Sequence, residues 1–167
     1  MATSSTYTFV LDDVPLDVAV DVLSSDAFDV AQQQAQEGTA SASVKVLSRD
    51  DNTFVYELHA VEYAKGVRGL DKSKTENTVT RVTWDFNTRK SRWEYEGPQG
   101  KRVRVWGGTS IEPRGQGSVV TTDFNIEVKI PLVGGQIEKL VVRASTKHMQ
   151  EHFEPLARTM CQERLAG

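Results

Sequence analysis

The segment His148-Met149-Gln150-Glu151-His152 has the residue types and spacing that most invite a chemical reading. It fits H-x-x-E-H, a pattern in which two helical histidines hold zinc and a glutamate acts as base. Residues four apart share a helix face, so both imidazoles could reach one metal. A catalytic zinc also needs a third protein ligand. Downstream only Glu154 and Glu163 are available, Pro155 disturbs the turn between them, and His59 alternates onto the polar side of its strand with Glu57. No metal is therefore expected. Two other readings of the histidines remain. They lie on a solvated or half-buried helix face, or they stand as polar handles in an apolar pocket, placed to bind a ligand hydroxyl or carboxylate.

Other chemistries have less support. There is no G-x-S-x-G, and Cys161 lies near the end of the chain with no base spaced to activate it. Gly107-Gly108 and Gly134-Gly135 lack the pattern that follows in phosphate loops and dinucleotide fingerprints, so no cofactor is expected. A formal net charge of −3 argues against nucleic acid or an anionic membrane as the main partner. One cysteine excludes an internal disulfide and suits a reducing compartment. Met1 to Thr6 carries neither a basic region nor an apolar run, and no stretch is long and apolar enough to span a bilayer. With 167 residues, 38% hydrophobic and 26% charged, the expectation is one soluble cytoplasmic domain spanning residues 1–167.

These side chains must be positioned by a sheet and a helix. Tyr7, Phe9 and Leu11 alternate as a first strand, and Asp12-Asp13-Val14-Pro15 reads as a helix start with a carboxylate cap. Gln32 to Gly38 reads as a second short helix ending at its glycine. From Ser41 to Ile130 about six strands alternate between apolar and polar residues, with turn chemistry between them. Such alternation means an antiparallel sheet with one dry face. That face carries Tyr56, Leu58, Val82, Trp84, Phe86, Trp93, Tyr95, Val105, Phe124 and Ile126. Trp106 is out of phase, either as an exposed rim residue or as a buried edge residue after a bulge. Ala64 to Asn77 reads as a mobile loop, whose Lys65, Arg68, Lys72 and Lys74 either are solvated or could touch a membrane during ligand transfer.

The strand Ser118 to Ile130 passes through Pro131-Leu132-Val133-Gly134-Gly135 into a helical pattern lasting almost to Gly167. At ~1.5 Å per residue that helix would reach roughly 45 Å, at least twice a typical strand. Laid on a curved sheet, it leaves a hollow. On a helical wheel, Ile137, Val141, Ala144, His148 and His152 form one stripe, and Met149, Phe153, Leu156 and Met160 an adjacent one. Either could face the hollow. Pro155 predicts a kink near Glu151 to Pro155.

This order of elements resembles the helix-grip fold of the START and birch-pollen-allergen-like (SRPBCC) superfamily. Phe9-Val10-Leu11-Asp12-Asp13-Val14-Pro15-Leu16, continuing to Leu23-Ser24, is similar to the strand and proline-started helix that open such domains. Lys129-Ile130-Pro131-Leu132-Val133-Gly134-Gly135-Gln136-Ile137-Glu138-Lys139 resembles the strand-to-helix junction of an uncharacterised bacterial branch of it. The resemblance implies an α+β fold whose curved antiparallel sheet wraps a long C-terminal helix. It also implies an enclosed lipid, sterol or polyketide-like ligand. The expected function is non-enzymatic carriage or sensing of an apolar small molecule, with no obligate protein partner inferable. Its lining would be the inward sheet residues above together with Val141, His148, Met149 and His152. The alternatives are a cyclase, dehydratase or hydrolase using His148, His152 and Glu151, and an interaction module with a filled core.

Overall fold

The computed structural model describes residues 2–66 and 68–167. Strand β1 (Thr3–Leu11) leads into helices α1 (Leu16–Leu23) and α2 (Asp26–Gln34). Strands β2 (Thr39–Arg49), β3 (Thr53–Gly66), β4 (Gly69–Asp85), β5 (Lys90–Glu96), β6 (Val103–Arg114) and β7 (Gly117–Val128) follow. Helix α3 (Gly134–His148), a π-turn (Met149–Phe153) and helix α4 (Glu154–Ala166) run on without a break. The sheet is antiparallel throughout, in the order β1-β7-β6-β5-β4-β3-β2, and is not closed. This is the helix-grip α+β architecture expected from the sequence.

The alternation of the strands fixes which face is dry. Phe54, Tyr56, Leu58 and Ala60 of β3 are buried, as are Val82 and Trp84 of β4 and Val120 and Ile126 of β7. At one end of this face the core is solid. Phe153 packs edge-on against Phe28 (ring centroids 5.2 Å apart) and against Phe9 (5.8 Å), beside buried Leu23, Ala157 and Cys161. At the other end Glu138 makes the attachment. Its carboxylate accepts from the Val128 backbone N–H at 2.8 Å and the Thr3 hydroxyl at 2.7 Å, tying α3 to β7 and β1.

Several local expectations are corrected. The N-cap of α1 is Pro15, with no side-chain cap, so neither Asp12 nor Asp13 fills that role. Helix α2 starts well before the glutamine run because Ser25 caps it, accepting from Phe28 N–H at 3.2 Å. Ala64 to Asn77 is not a loop. Among the described residues, Ala64 to Gly66 and Gly69 to Asn77 belong to β3 and β4, which pair from Thr53↔Asp85 to Gly66↔Gly69 with a register shift where Tyr63↔Thr75 gives way to Ala64↔Asp71. Lys65 pairs with Leu70, whereas Lys72 and Lys74 fall within residues 72–74, which the shift leaves unpaired; Lys72 Nζ stands 5.9 Å from the centre of the Tyr63 ring. Trp106 is half-buried on the outer face, under the Arg104 guanidinium at 4.5 Å, with no bulge in the β6–β7 register. Pro155 produces the π-turn just before it. Lacking an N–H, it sits in the first turn of α4 and returns no hydrogen bond to the turn before it.

One glycine matters to the shape of the dry face. Gly107 pairs with Trp93 on one side and Phe124 on the other. A Cβ there would lie 2.1 Å from the Asp123 carbonyl oxygen and 2.7 Å from the Trp93 ring. The missing side chain lets the Trp93 and Phe124 rings approach to 6.0 Å. Gly107→Ala should cost about 1–3 kcal/mol through overpacking, read as a lower urea midpoint with an altered tryptophan emission. A variant as stable as the parent would contradict this packing.

The Glu138 attachment predicts a pH signature. The Val128 N–H, and then the Thr3 hydroxyl, hold its carboxyl below the usual range. A depressed carboxyl contributes stability that is full above its unfolded pKa and is lost as pH falls through the folded one. Glu138→Gln should therefore lower the melting temperature at neutral pH, with the gap to the parent closing in acid. A gap that is constant with pH would rule this out.

Candidate functional site

Between the dry face and α3 lies a cavity of about 660 Å³. Its floor comes from alternate strand residues: Leu58 on β3, Val82 and Trp84 on β4, Trp93 and Tyr95 on β5, Val105 on β6, Phe124 and Ile126 on β7. Its roof is one face of the helix, Val141, Ala144, Ser145, His148 and Met149, with Phe153 closing the far end. All of these floor residues, and Val141, His148 and Met149, were expected from the sequence. The exposed residues Lys65, Glu76, Pro98 and Gln99 border the same space, so it communicates with solvent.

Tyr56, Phe86 and His152 lie elsewhere. Tyr56 is fully buried and does not border the cavity; its ring is tilted against Phe54 with centroids 4.8 Å apart. Phe86 falls just past the end of β4 and packs against the core rather than on the lining. His152 is exposed, and the next residue, Phe153, is buried in its place. Glu151 is exposed as well, so His148, His152 and Glu151 do not assemble inside the cavity. The two imidazoles are near each other, 5.4 Å between ring centres. Among the described residues no group of three or more His, Cys, Asp or Glu side chains is placed to hold a metal. His59 is on the outer face, 3.2 Å from Glu57.

A polar group at the inner end of the cavity escaped the sequence reading. Asp29 and Gln32, one turn apart on α2, both line it. Gln32 Oε1 is 3.0 Å from His148 Nε2, so the ring donates to the amide in the matching tautomer. The Tyr56 hydroxyl donates to Asp29 Oδ2. Asp29 is remote from bulk water although it faces the cavity, and this desolvation raises its pKa to about 6 against the opposing bond from Tyr56. Burial, then the nearby His152, lowers the pKa of His148. Burial raises that of Tyr95 to about 12, with the charges of Glu62 and Glu76 adding to it. The signal for Asp29 was its spacing from Gln32, masked because α2 was placed too late in the chain.

Asp29 gives a test of this environment. A carboxyl whose folded pKa is raised binds its proton more tightly folded than unfolded, so its contribution to stability falls as pH rises from about 4 to 6. Asp29→Asn keeps an acceptor for Tyr56 and removes the buried charge. The stability difference should move in favour of Asp29→Asn by about 2–3 kcal/mol between pH 4 and pH 7.5, measured by denaturant titration. A difference that does not vary with pH would show that Asp29 is solvated.

The fold recurs in solved structures. TTHA0849 from Thermus thermophilus is 20% identical, with a TM-score of 0.56, over 99% of this chain and 98% of its own. The Zhui aromatase/cyclase from Streptomyces sp. R1128 is 12% identical, with a TM-score of 0.64, over 99% and 96%. A START superfamily protein from Mycobacterium smegmatis is 17% identical, with a TM-score of 0.56, over 95% and 98%. These likenesses establish the helix-grip fold seen in START-type proteins. No curated protein matches the sequence. A family model does match, over residues 6–158, and the chain therefore belongs to the family described as protein of unknown function (DUF2505).

Proposed function

We propose that residues 1–167 form one ligand-binding unit that carries or senses a hydrophobic small molecule held between the sheet and the C-terminal helix. The observation that carries this reading is the cavity of about 660 Å³ walled by Trp84, Trp93, Tyr95 and Phe124. That volume falls within the ~300–1,000 Å³ of small-molecule sites, which pair apolar walls with a few convergent polar groups. Here those groups are Asp29, Gln32 and His148. Apolar burial at ~25 cal/mol per Å² gives a lipid-sized guest ample affinity without many polar contacts. Met149 on the roof adapts to guests of different outline.

The filled-core alternative is disfavoured by that volume. The enzymatic alternative loses its trio of groups, since His152 and Glu151 face outward. Among the described residues no helix is long and apolar enough to cross a membrane, in keeping with a carrier that meets its ligand from the aqueous side.

Trp84 and Trp93 border the cavity while Trp106 is on the outer face, so intrinsic emission should report occupancy. Delipidated protein titrated with a fluorescent fatty-acyl probe should show saturable uptake and energy transfer from tryptophan. Ser145→Trp fills space from the half-buried roof without deleting any core side chain. It should weaken uptake by about tenfold or more, equivalent to ~1.4 kcal/mol, with little change in melting temperature. A parent protein that takes up no apolar probe, or a folded Ser145→Trp variant that binds as well as the parent, would defeat the reading.

A further inference from the structure

The lining contains charges that packing does not explain. Glu62 and Glu76 are directly opposite each other in the β3–β4 register, and both border the cavity. Side chains so placed stand ~5 Å apart at Cβ, where like charges repel. Glu62 accepts one hydrogen bond, from Gln33 Nε2 at 3.1 Å. Among the described residues, neither glutamate forms an ion pair with a lysine or arginine. Asp29 presents a third carboxyl to the same space from α2.

Positive charge is scarce there. Lys65, on the exposed end of β3, is the one lysine or arginine on the lining among the described residues. His148 is buried enough to favour its neutral form. Asp123 also borders the space, but its carboxylate turns to the outer face, where Asn125 Nδ2 donates to it at 3.1 Å. The walls between the carboxyls are aromatic, and the negative faces of aromatic rings attract cations. The Tyr95 hydroxyl lies close enough to Glu62 and Glu76 to feel both charges. A neutral guest leaves the two glutamates repelling each other, and an anionic guest adds to that repulsion. A cationic guest relieves it.

We propose that the cavity selects a hydrophobic cation, an amine or quaternary ammonium, whose apolar body lies against Trp84, Trp93 and Phe124. Its charge sits between Glu62, Glu76 and the Tyr95 ring. The inference rests on the binding reading above and adds the charge of the ligand to it.

Three probes sharing one chain separate the possibilities: dodecyltrimethylammonium, 1-dodecanol and dodecanoate. Each is titrated below its micellar concentration into the delipidated protein, with tryptophan emission as readout. The cation should bind about tenfold or more tighter than the alcohol, and dodecanoate weakest of the three. In the double variant E62Q/E76Q the cation-to-alcohol affinity ratio should fall close to one. Removing two opposed like charges deletes no packing, so its melting temperature should equal or exceed that of the parent. If the double variant does not fold, Glu62→Gln and Glu76→Gln taken singly should each lower the ratio. Alcohol or dodecanoate binding as tightly as the cation, or a ratio unmoved in the variants, overturns the cation inference and leaves apolar binding intact. If none of the three probes is taken up, the binding reading fails and this inference fails with it.

Discussion

The C-terminal helix is fastened to the sheet most firmly near its start and beyond the π-turn, and the cavity lies between those attachments. Near the start of α3, Gly134 and Glu138 are buried; after them the next buried helix residue is Phe153, followed by Ala157 and Cys161. The first attachment is polar and directional, a carboxylate bonded to the ends of β1 and β7. The second is mainly apolar, with Phe153 wedged between Phe9 and Phe28, while the Tyr7 hydroxyl of β1 donates to Glu154 Oε1 at 2.5 Å beside it. Two fixed points on a stiff rod determine its height over a curved sheet. Between them Val141, Ala144, Ser145 and His148 face the cavity, and Met149 meets β7, its sulfur accepting from the Thr122 hydroxyl at 3.7 Å. A helix fastened along its whole length would have drawn the sheet flat against it and left no space.

Keeping the inward side constant along the rod requires the π-turn. The residues on that side run Val141, Ser145, Met149, Phe153, Ala157 and Cys161, four apart. In an α-helix each four-residue step drifts by ~40°, so this series would spiral off the sheet. The turn at Met149–Phe153 holds an extra residue and takes up part of that drift, which brings Phe153 and Ala157 back over the core. Pro155 supplies the cause, since it donates no hydrogen bond into the turn before it. The same proline that ends one hydrogen-bond ladder thus sets the position of the apolar attachment.

The sheet and its inward face were legible because strand alternation is a direct physical signal. A side chain on β4 or β7 faces one way or the other, and Trp84, Phe124 and Ile126 could be assigned from their neighbours alone. The outer half of β4 was not legible, since it is polar on both faces and reads as a loop. Two long paired strands stabilise it through backbone hydrogen bonds rather than through apolar burial. His152 failed for a different reason. A regular wheel groups it with His148, but Phe153 decides which way that turn faces, and a large apolar ring outcompetes an imidazole for the interior. Asp29, Gln32, Glu62 and Glu76 were missed because polar residues on an inward face look like noise in a pattern built on hydrophobicity. They become visible only once the face is known.

The size of the cavity constrains its resting state. Dry voids cost on the order of 24 cal/mol per Å³, so about 660 Å³ held empty would cost roughly 16 kcal/mol. That exceeds the ~5–15 kcal/mol by which a whole domain is stable. A folded chain with this geometry must therefore keep its interior wet or occupied. Water there finds partners at Asp29, Gln32, His148, the two glutamates and hydroxyls such as those of Thr80 and Ser145, while the ring faces of Trp84, Trp93 and Phe124 offer it little. Water against such walls is poorly bound and easily displaced. A guest with an apolar body and one polar or charged end would replace the weakly held water and leave the polar groups satisfied. The mixed lining, costly in an empty protein, becomes favourable in a filled one.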